Sequence, residues 1–537
     1  MLARNRIRSI WLTLLAGLLI TMAACGKADL STSTATSAKT VTIGVTYSPN
    51  ELTPLSPVGQ VSSYISGLMY LPLVELDDNL TFKPMLADSI TTTDHRVFTI
   101  KLNAGATWSD GSPVTADDVM FTLKLMANKA IASSYAYMFA IIEGTDSNGY
   151  LPSGVTDIAG VQKVDAQTLT IKTKAPTTLT IMQDTIGRNL LTLPKKALEN
   201  EPLEQIKNGD FVQKSAVISG PYHLDNYEDN QVVQMKANPD FFKGTPKINR
   251  INFKVLRGEE LASQLESGDV DLNIPSFGVI PAQDYSKIRS LGDVTTTDEP
   301  SVTTQFMYIN EQVFPEARQR QAISYAINRE MIVNDLLQGA GEPVDGFFTS
   351  YSPYLDPSVK QANYDPGKAK SLLAESGWPS DKELTLSVLS GDNTLEQAVR
   401  LVADQLNAVG IKAHIEMVDL ASLIDKIADH NYDLGIMTVS MSLVNPLPDV
   451  AYFLQEGNPN GYHNPEVDKL LSSLKSETEE ATIKQSYSRL QQIIAEEVPM
   501  LSIYATRPLG VVSHQLTGVT PKDYGMFIGV ERWDRKP

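Results

Sequence analysis

The stretch Ala106–Leu123, ATWSDGSPVTADDVMFTL, passes from a turn to a capped helix within a few residues. Asp110-Gly111 is a turn dipeptide, because glycine reaches left-handed backbone angles at no steric cost. Thr115 then stands three residues before Asp118. That is the spacing of a capping box, in which the threonine accepts a backbone N–H and the acid reaches back. Val119, Leu123 and Met126 follow on one side of the helix so opened. Just upstream, Val97–Leu102 (VFTIKL) puts Phe98, Ile100 and Leu102 on one face, the period of a half-buried strand. A strand, a turn and a capped helix in close succession imply α/β layers. Trp108, Asp110 and Gly111 are residue types that also occur in catalytic clusters, but the capping pattern assigns them to a structural turn.

The same alternation continues along the chain. VTIGV, starting at Val41, reads as a strand and as the start of folded sequence. Residues 316–327 place Ala322, Ile323, Ala326 and Ile327 on one helical face, and Asn328 caps a second helix expected to end near Gly339. Residues 367–376 end at Gly377, and residues 394–409 end at Gly410 before the strand IKAHIEMV, both glycines being C-terminal helix stops. Residues 480–497 carry Tyr487, Leu490 and Ile494 and halt before Pro499. From Val41 to Pro537 the chain is too long for one core, so two or three substructures are expected.

The N-terminus reads as a targeting segment. Arg4, Arg6 and Arg8 precede an apolar run, Ile10–Ile20, that is too short to span a bilayer comfortably but has the size of a signal-peptide core. Met22-Ala23-Ala24-Cys25 resembles a bacterial lipobox, which implies cleavage before Cys25 and lipidation of that residue. Cys25 is the sole cysteine, so no intrachain disulfide exists. Residues 26–40, small and polar, read as a flexible tether.

A formal net charge of −18 disfavours attraction to nucleic acid or to an anionic lipid surface. The sequence contains no H-E-x-x-H, G-x-S-x-G, P-loop or C-x-x-C pattern. Its 6 histidines include no pair at helical i,i+4 spacing, so a local zinc site is not suggested and no cofactor is expected. A secreted hydrolase would fit the anchor and the size, but no nucleophile–base pair stands out, and the chain is read as a non-enzyme.

Several further segments carry a resemblance: Pro84–Asp88, Ala106–Leu123, the Ser219-Gly-Pro-Tyr222 turn, LESGDVDL at Leu265–Leu272, Tyr308–Gly339, and YDPGKAKSLLAESGW at Tyr364–Trp378. Together, and in this order, they resemble bacterial extracellular solute-binding protein family 5, the receptors of oligopeptide, dipeptide and nickel importers. The resemblance implies a two-lobed, periplasmic-binding-protein-like α/β fold. Lobe I would comprise 41–300 plus 505–537, with a subdomain inserted near 81–190, and lobe II would comprise 301–504. Hinge strands are expected near Thr303–Asn310 and Leu501–Thr506. The implied role is a monomeric extracytoplasmic receptor, held to the cell membrane by its lipid, that passes a peptide or similar small solute to the membrane subunits of an ABC importer. A non-peptide solute, such as a nickel chelate or an oligosaccharide, is the alternative ligand.

The resemblance also bears on the site. Tyr135 and Tyr137 occupy the place of a loop that carries a pocket tyrosine in peptide-binding relatives, and Tyr47 and Gln60 are counted as further ligand contacts. In those relatives an aspartate, in a loop after a Tyr-Asp pair, holds the peptide's α-ammonium group. Here Tyr432-Asp433 leads into LGIMTVSMSLVNPLPDVAYFL, and the anchor position falls at Ser442 or at Pro446, neither of which is acidic. The expected pocket wall is Met437, Val439, Ser440, Met441 and Ser442. Asp449 is the remaining acid of the loop and either substitutes as the anchor or serves as a turn residue after Pro448.

Overall fold

The computed structural model describes residues 39–49, 52–56, 59–213, 217–360 and 362–537. The signal segment, Cys25 and almost all of the tether lie outside the described residues. Two large mixed sheets organise the chain into two lobes. The first has seven strands, in the order Val294–Asp298, Leu509–Ser513, Leu272–Asn273, Thr40–Val45, Arg250–Val255, Val232–Ala237 and Tyr222–Glu228. The second has six, in the order Gly341–Pro343, Met500–Thr506, Thr303–Ile309, Leu434–Ser440, Glu383–Leu389 and Lys412–Val418. A separate antiparallel four-stranded sheet, Ala87–Thr92, Val97–Leu102, Thr168–Lys172 and Val161–Lys163, is inserted between strands of the first. No helix among the described residues is long and apolar enough to cross a membrane.

Local signals explain these elements. Phe98, Ile100 and Leu102 are fully buried on one face of their strand, as the alternation requires. Asp118 reaches back to the Thr115 N–H at 2.8 Å and opens the helix Ala116–Met126; its other oxygen accepts from Lys195 N at 2.9 Å and binds a distant segment to the same point. Trp108, Asp110 and Gly111 form the turn alone: Gly111 N donates to Trp108 O at 2.9 Å, and Ser112 N donates to Asp110 at 2.9 Å. At Gly220, in the Gly-Pro-Tyr turn, a Cβ would lie 2.1 Å from the Leu68 carbonyl oxygen, so only glycine lets this strand approach the helix Gln60–Met69. The helix expected from Asn328 to Gly339 is shorter and wider. Asn328 caps Arg329–Met331 and the turn then opens into π-helix over Ile332–Leu336.

The second sheet shows how the core is divided. Along Thr303–Ile309, Phe306 and Tyr308 face an aromatic cluster with Phe347, Phe453 and Tyr487, while Met307 and Ile309 face an aliphatic one with Ile323, Leu386, Val402 and Ile503. Helices cover both faces, which makes this lobe three layers. Glu383–Leu389, Lys412–Val418 and Leu434–Ser440 run parallel, so their carboxyl ends share one edge. In open α/β sheets that edge is where ligands bind. The chain passes between the two large sheets at residues 299–302 and again at 507–508. The expected hinge strands are themselves hydrogen-bonded along their length in the six-stranded sheet, and the two short links lie outside both sheets.

Candidate functional site

Beyond Ser440, the chain leaves the carboxyl edge of the second sheet and turns at Ser442. The Ser442 N–H donates to Asp449 Oδ2 at 2.8 Å, and the Ser442 hydroxyl accepts from Asn445 N at 3.1 Å. These bonds close the loop onto the first turn of the helix Leu447–Leu454, which Phe453 anchors in the aromatic cluster. The Ser442 hydroxyl also lies 3.5 Å from Asp184 Oδ2, a group of the first lobe. Asp184 belongs to a π-helical turn, Gln183–Gly187, that continues the short helix Leu179–Met182. Such widened turns are frequent at functional sites because they rotate side chains off the regular helical face.

Five titratable groups meet here: Asp184, Arg188, Asp449, Tyr137 and Tyr524. Arg188 Nη1 donates to Asp184 Oδ1 at 3.2 Å and its guanidinium stacks over the Tyr524 ring at 5.7 Å. Burial pushes the Asp184 carboxyl above its ordinary value, and Arg188 only partly opposes this. Burial also raises Asp449; its bond from Ser442 lowers it, and the Asp184 charge raises it further. Tyr137 remains 58% exposed, and its phenol is raised by partial burial, then by Asp449, Tyr135 and Asp184. Two carboxylates that resist ionisation thus lie on either side of Ser442, Arg188 pairs with Asp184 and not with Asp449, and no lysine is paired with either carboxylate among the described residues.

Next to this cluster lies a cavity of about 300 Å³ whose walls include Gln60, Tyr64, Glu75, Tyr135, Arg188 and Tyr524. Tyr135 shares a hydrogen bond with Ser63 at 3.3 Å. Glu75 is raised by burial and lowered by Arg188. The cavity is therefore polar along the side that Arg188 occupies.

The residues expected from sequence divide into five groups. Tyr137, Ser442 and Asp449 converge with Asp184. Gln60 and Tyr135 line the neighbouring cavity. Tyr47 stands apart: it is 58% exposed, its ring meets Phe277 edge-on at 6.2 Å, and Asp392 of the second lobe raises its phenol after burial does. Ser440 is exposed at the strand end opposite Thr303. Val439 and Met441 pack against the aromatic cluster of their own lobe, where the adjoining space is only about 10 Å³. Sequence reading missed Asp184, Arg188, Glu75 and Tyr524. The single local signal was the Asp184/Arg188 spacing, which reads as an ordinary helical ion pair.

Comparison with known proteins agrees with this architecture. Residues 81–461 match the family model "Bacterial extracellular solute-binding proteins, family 5 Middle". The chain is 25% identical over 563 residues to the oligopeptide-binding protein AppA of Bacillus subtilis (strain 168), covering 99% of both chains. It is also 25% identical over 506 residues to the glutathione-binding protein GsiB of Escherichia coli (strain K12), covering 91% of this chain and 93% of that one. The crystal structure of the ABC transporter substrate-binding protein CtaP of Listeria monocytogenes superposes with a TM-score of 0.80 at 23% identity, over 93% of this chain and all of that one. The matched span, together with the shared fold, identifies this chain as a member of the bacterial extracellular solute-binding proteins, family 5.

Proposed function

We propose that this solute-binding protein is the monomeric, lipid-anchored receptor of an ABC importer and that it captures a peptide by its free amino terminus, without catalysing a reaction. The observation that carries the peptide reading is the Asp184–Asp449 carboxylate pair on either side of Ser442. A buried carboxylate is destabilised unless it meets a cation, and Arg188 neutralises only one of the two. An ammonium group between them would complete the balance, with the acid supplied by the inserted subdomain and the helix Leu447–Leu454 rather than by the loop position that is serine here. The relatives named for oligopeptides and glutathione support the same ligand class.

On this reading, residues 41–300 and 505–537 form lobe I, with the insertion at about 81–190. Residues 301–504 form lobe II, which moves about the links at 299–302 and 507–508. Cys25 carries the lipid and holds the receptor on the outer side of the cell membrane, beside the importer's membrane subunits. The deciding experiment is mass spectrometry of whatever solute remains bound after purification, followed by calorimetry with that compound. Recovery of peptides with free amino termini supports the reading, and recovery of a nickel chelate or an oligosaccharide overturns it.

A further inference from the structure

A second cluster of metal-ligating groups lies beyond the far end of the helix Leu447–Leu454, away from the cleft. Glu456, His463 and Asp468 each offer a donor atom, and these atoms all lie within 4.8 Å of one another. His463 Nδ1 is 3.6 Å from Asp468 Oδ2. Donors held about 2.0 Å from a tetrahedral ion are separated by about 3.3 Å, so this spacing is already close to a coordination edge. No lysine or arginine pairs with Glu456 or Asp468 among the described residues.

The backbone that carries these groups is held before any ion arrives. Asp468 Oδ1 accepts from Glu456 N at 2.9 Å, which orients its carboxylate and leaves Oδ2 turned toward the imidazole. Glu497 bridges the two neighbours of His463, accepting from the Tyr462 hydroxyl at 2.7 Å and from Asn464 Nδ2 at 2.9 Å. The buried Asn458 side chain binds the Tyr462 carbonyl at 2.7 Å and accepts from Asn460 N and Tyr462 N. Outer contacts of this kind fix ligand orientation and raise metal affinity. Glu456 and His463 are exposed, so an ion can enter from solution and keep water in its remaining positions.

We propose that Glu456, His463 and Asp468 bind a divalent cation of the zinc class. Two carboxylates neutralise its charge and the imidazole selects it over magnesium and calcium, which prefer all-oxygen sites. The ion would clamp the turn after the helix Leu447–Leu454 to the helix Pro465–Leu474.

The test is calorimetric titration of the intact protein with zinc chloride, with magnesium chloride in parallel. One saturable zinc site with no magnesium response is expected. His463→Ala and Glu456→Gln should each weaken zinc by more than about tenfold. Both positions are exposed, and circular dichroism with a thermal melt checks that the variants are folded. His463→Ala should leave peptide affinity unchanged, which separates this site from the cleft. Absence of saturable zinc binding to the wild type, or undiminished zinc affinity in His463→Ala, would overturn the proposal.

Discussion

The Ser442 hydroxyl and Asp184 Oδ2 stand 3.5 Å apart although 258 residues separate them in the chain, and they belong to different lobes. This contact brings the loop of lobe II against the inserted subdomain of lobe I and sets Asp184 beside Asp449. If the two acids hold a ligand ammonium, Asp184→Asn should weaken a free peptide by about 2–5 kcal/mol, the cost of breaking a buried charged pair. Asp449→Asn tests the second acid with little disturbance, because the amide oxygen can still accept from Ser442 N. The wild type should discriminate a free peptide from its acetylated form in calorimetry, and Asp184→Asn should not. Equal binding in all four combinations would rule out an ammonium anchor.

Closure should be measurable in solution. Ligand shifts the lobe equilibrium only by its differential affinity for the closed form. The lobes already touch through Ser442 and Asp184, and through the Tyr351 hydroxyl, which donates to the Asp78 carbonyl. Bound solute should shrink the radius of gyration in X-ray scattering and raise the melting temperature, with about 2.7 kcal/mol of stabilisation at a hundredfold excess over Kd. Tight binding without compaction would contradict a hinged receptor.

Glu299 lies in the first link between the sheets, where burial and the Asp523 charge raise its carboxyl to about 7. A carboxyl with a raised folded-state value binds more protons when folded than when unfolded, so its contribution to stability falls as pH rises from about 4.5 to about 7. Glu299→Gln removes that loss. Thermal melts should find the variant more stable than the wild type at pH 8, and no more stable at pH 4. A constant difference across this range would mean that Glu299 titrates as an ordinary surface acid.

Phe453 connects stability to the site. It is 3% exposed, and its ring centroid lies 4.3 Å from that of Phe306. Phe453→Ala should cost about 3–5 kcal/mol of stability through the cavity it leaves. Because Phe453 holds the helix that bears Asp449, peptide affinity should fall as well, in variants that still fold by circular dichroism. Unchanged affinity would detach Asp449 from the site.

The anchor is tested at Cys25. Cys25→Ala should shift the protein from the membrane fraction to an uncleaved precursor or a soluble form, since stable attachment needs two or more buried acyl chains. Identical fractionation and migration of wild type and variant would refute lipidation.

Local signals alone specified much of the framework. The Thr115–Asp118 box, the stops at Gly377 and Gly410, and the alternation in Val97–Leu102 depend on contacts a few residues apart, and the structure contains each of them. The family was legible too, because those local devices recur in a fixed order. The site was not. Asp449 could be found because it lies in the same loop as the absent anchor acid, but Asp184 reaches that loop only after the chain has built the subdomain, crossed to lobe II and returned the strand Leu434–Ser440 to the cleft. Its π-helical turn is a departure from regular spacing that no periodicity encodes. The wall residues Val439 and Met441 illustrate the same limit. Alternation divides the strand between two faces, but which face meets ligand and which meets Phe347 and Phe348 is decided by the helices and loops that pack on each side. Tertiary packing therefore decided which charges meet, since Coulomb and desolvation energies depend on distance and burial in space, not on separation along the chain.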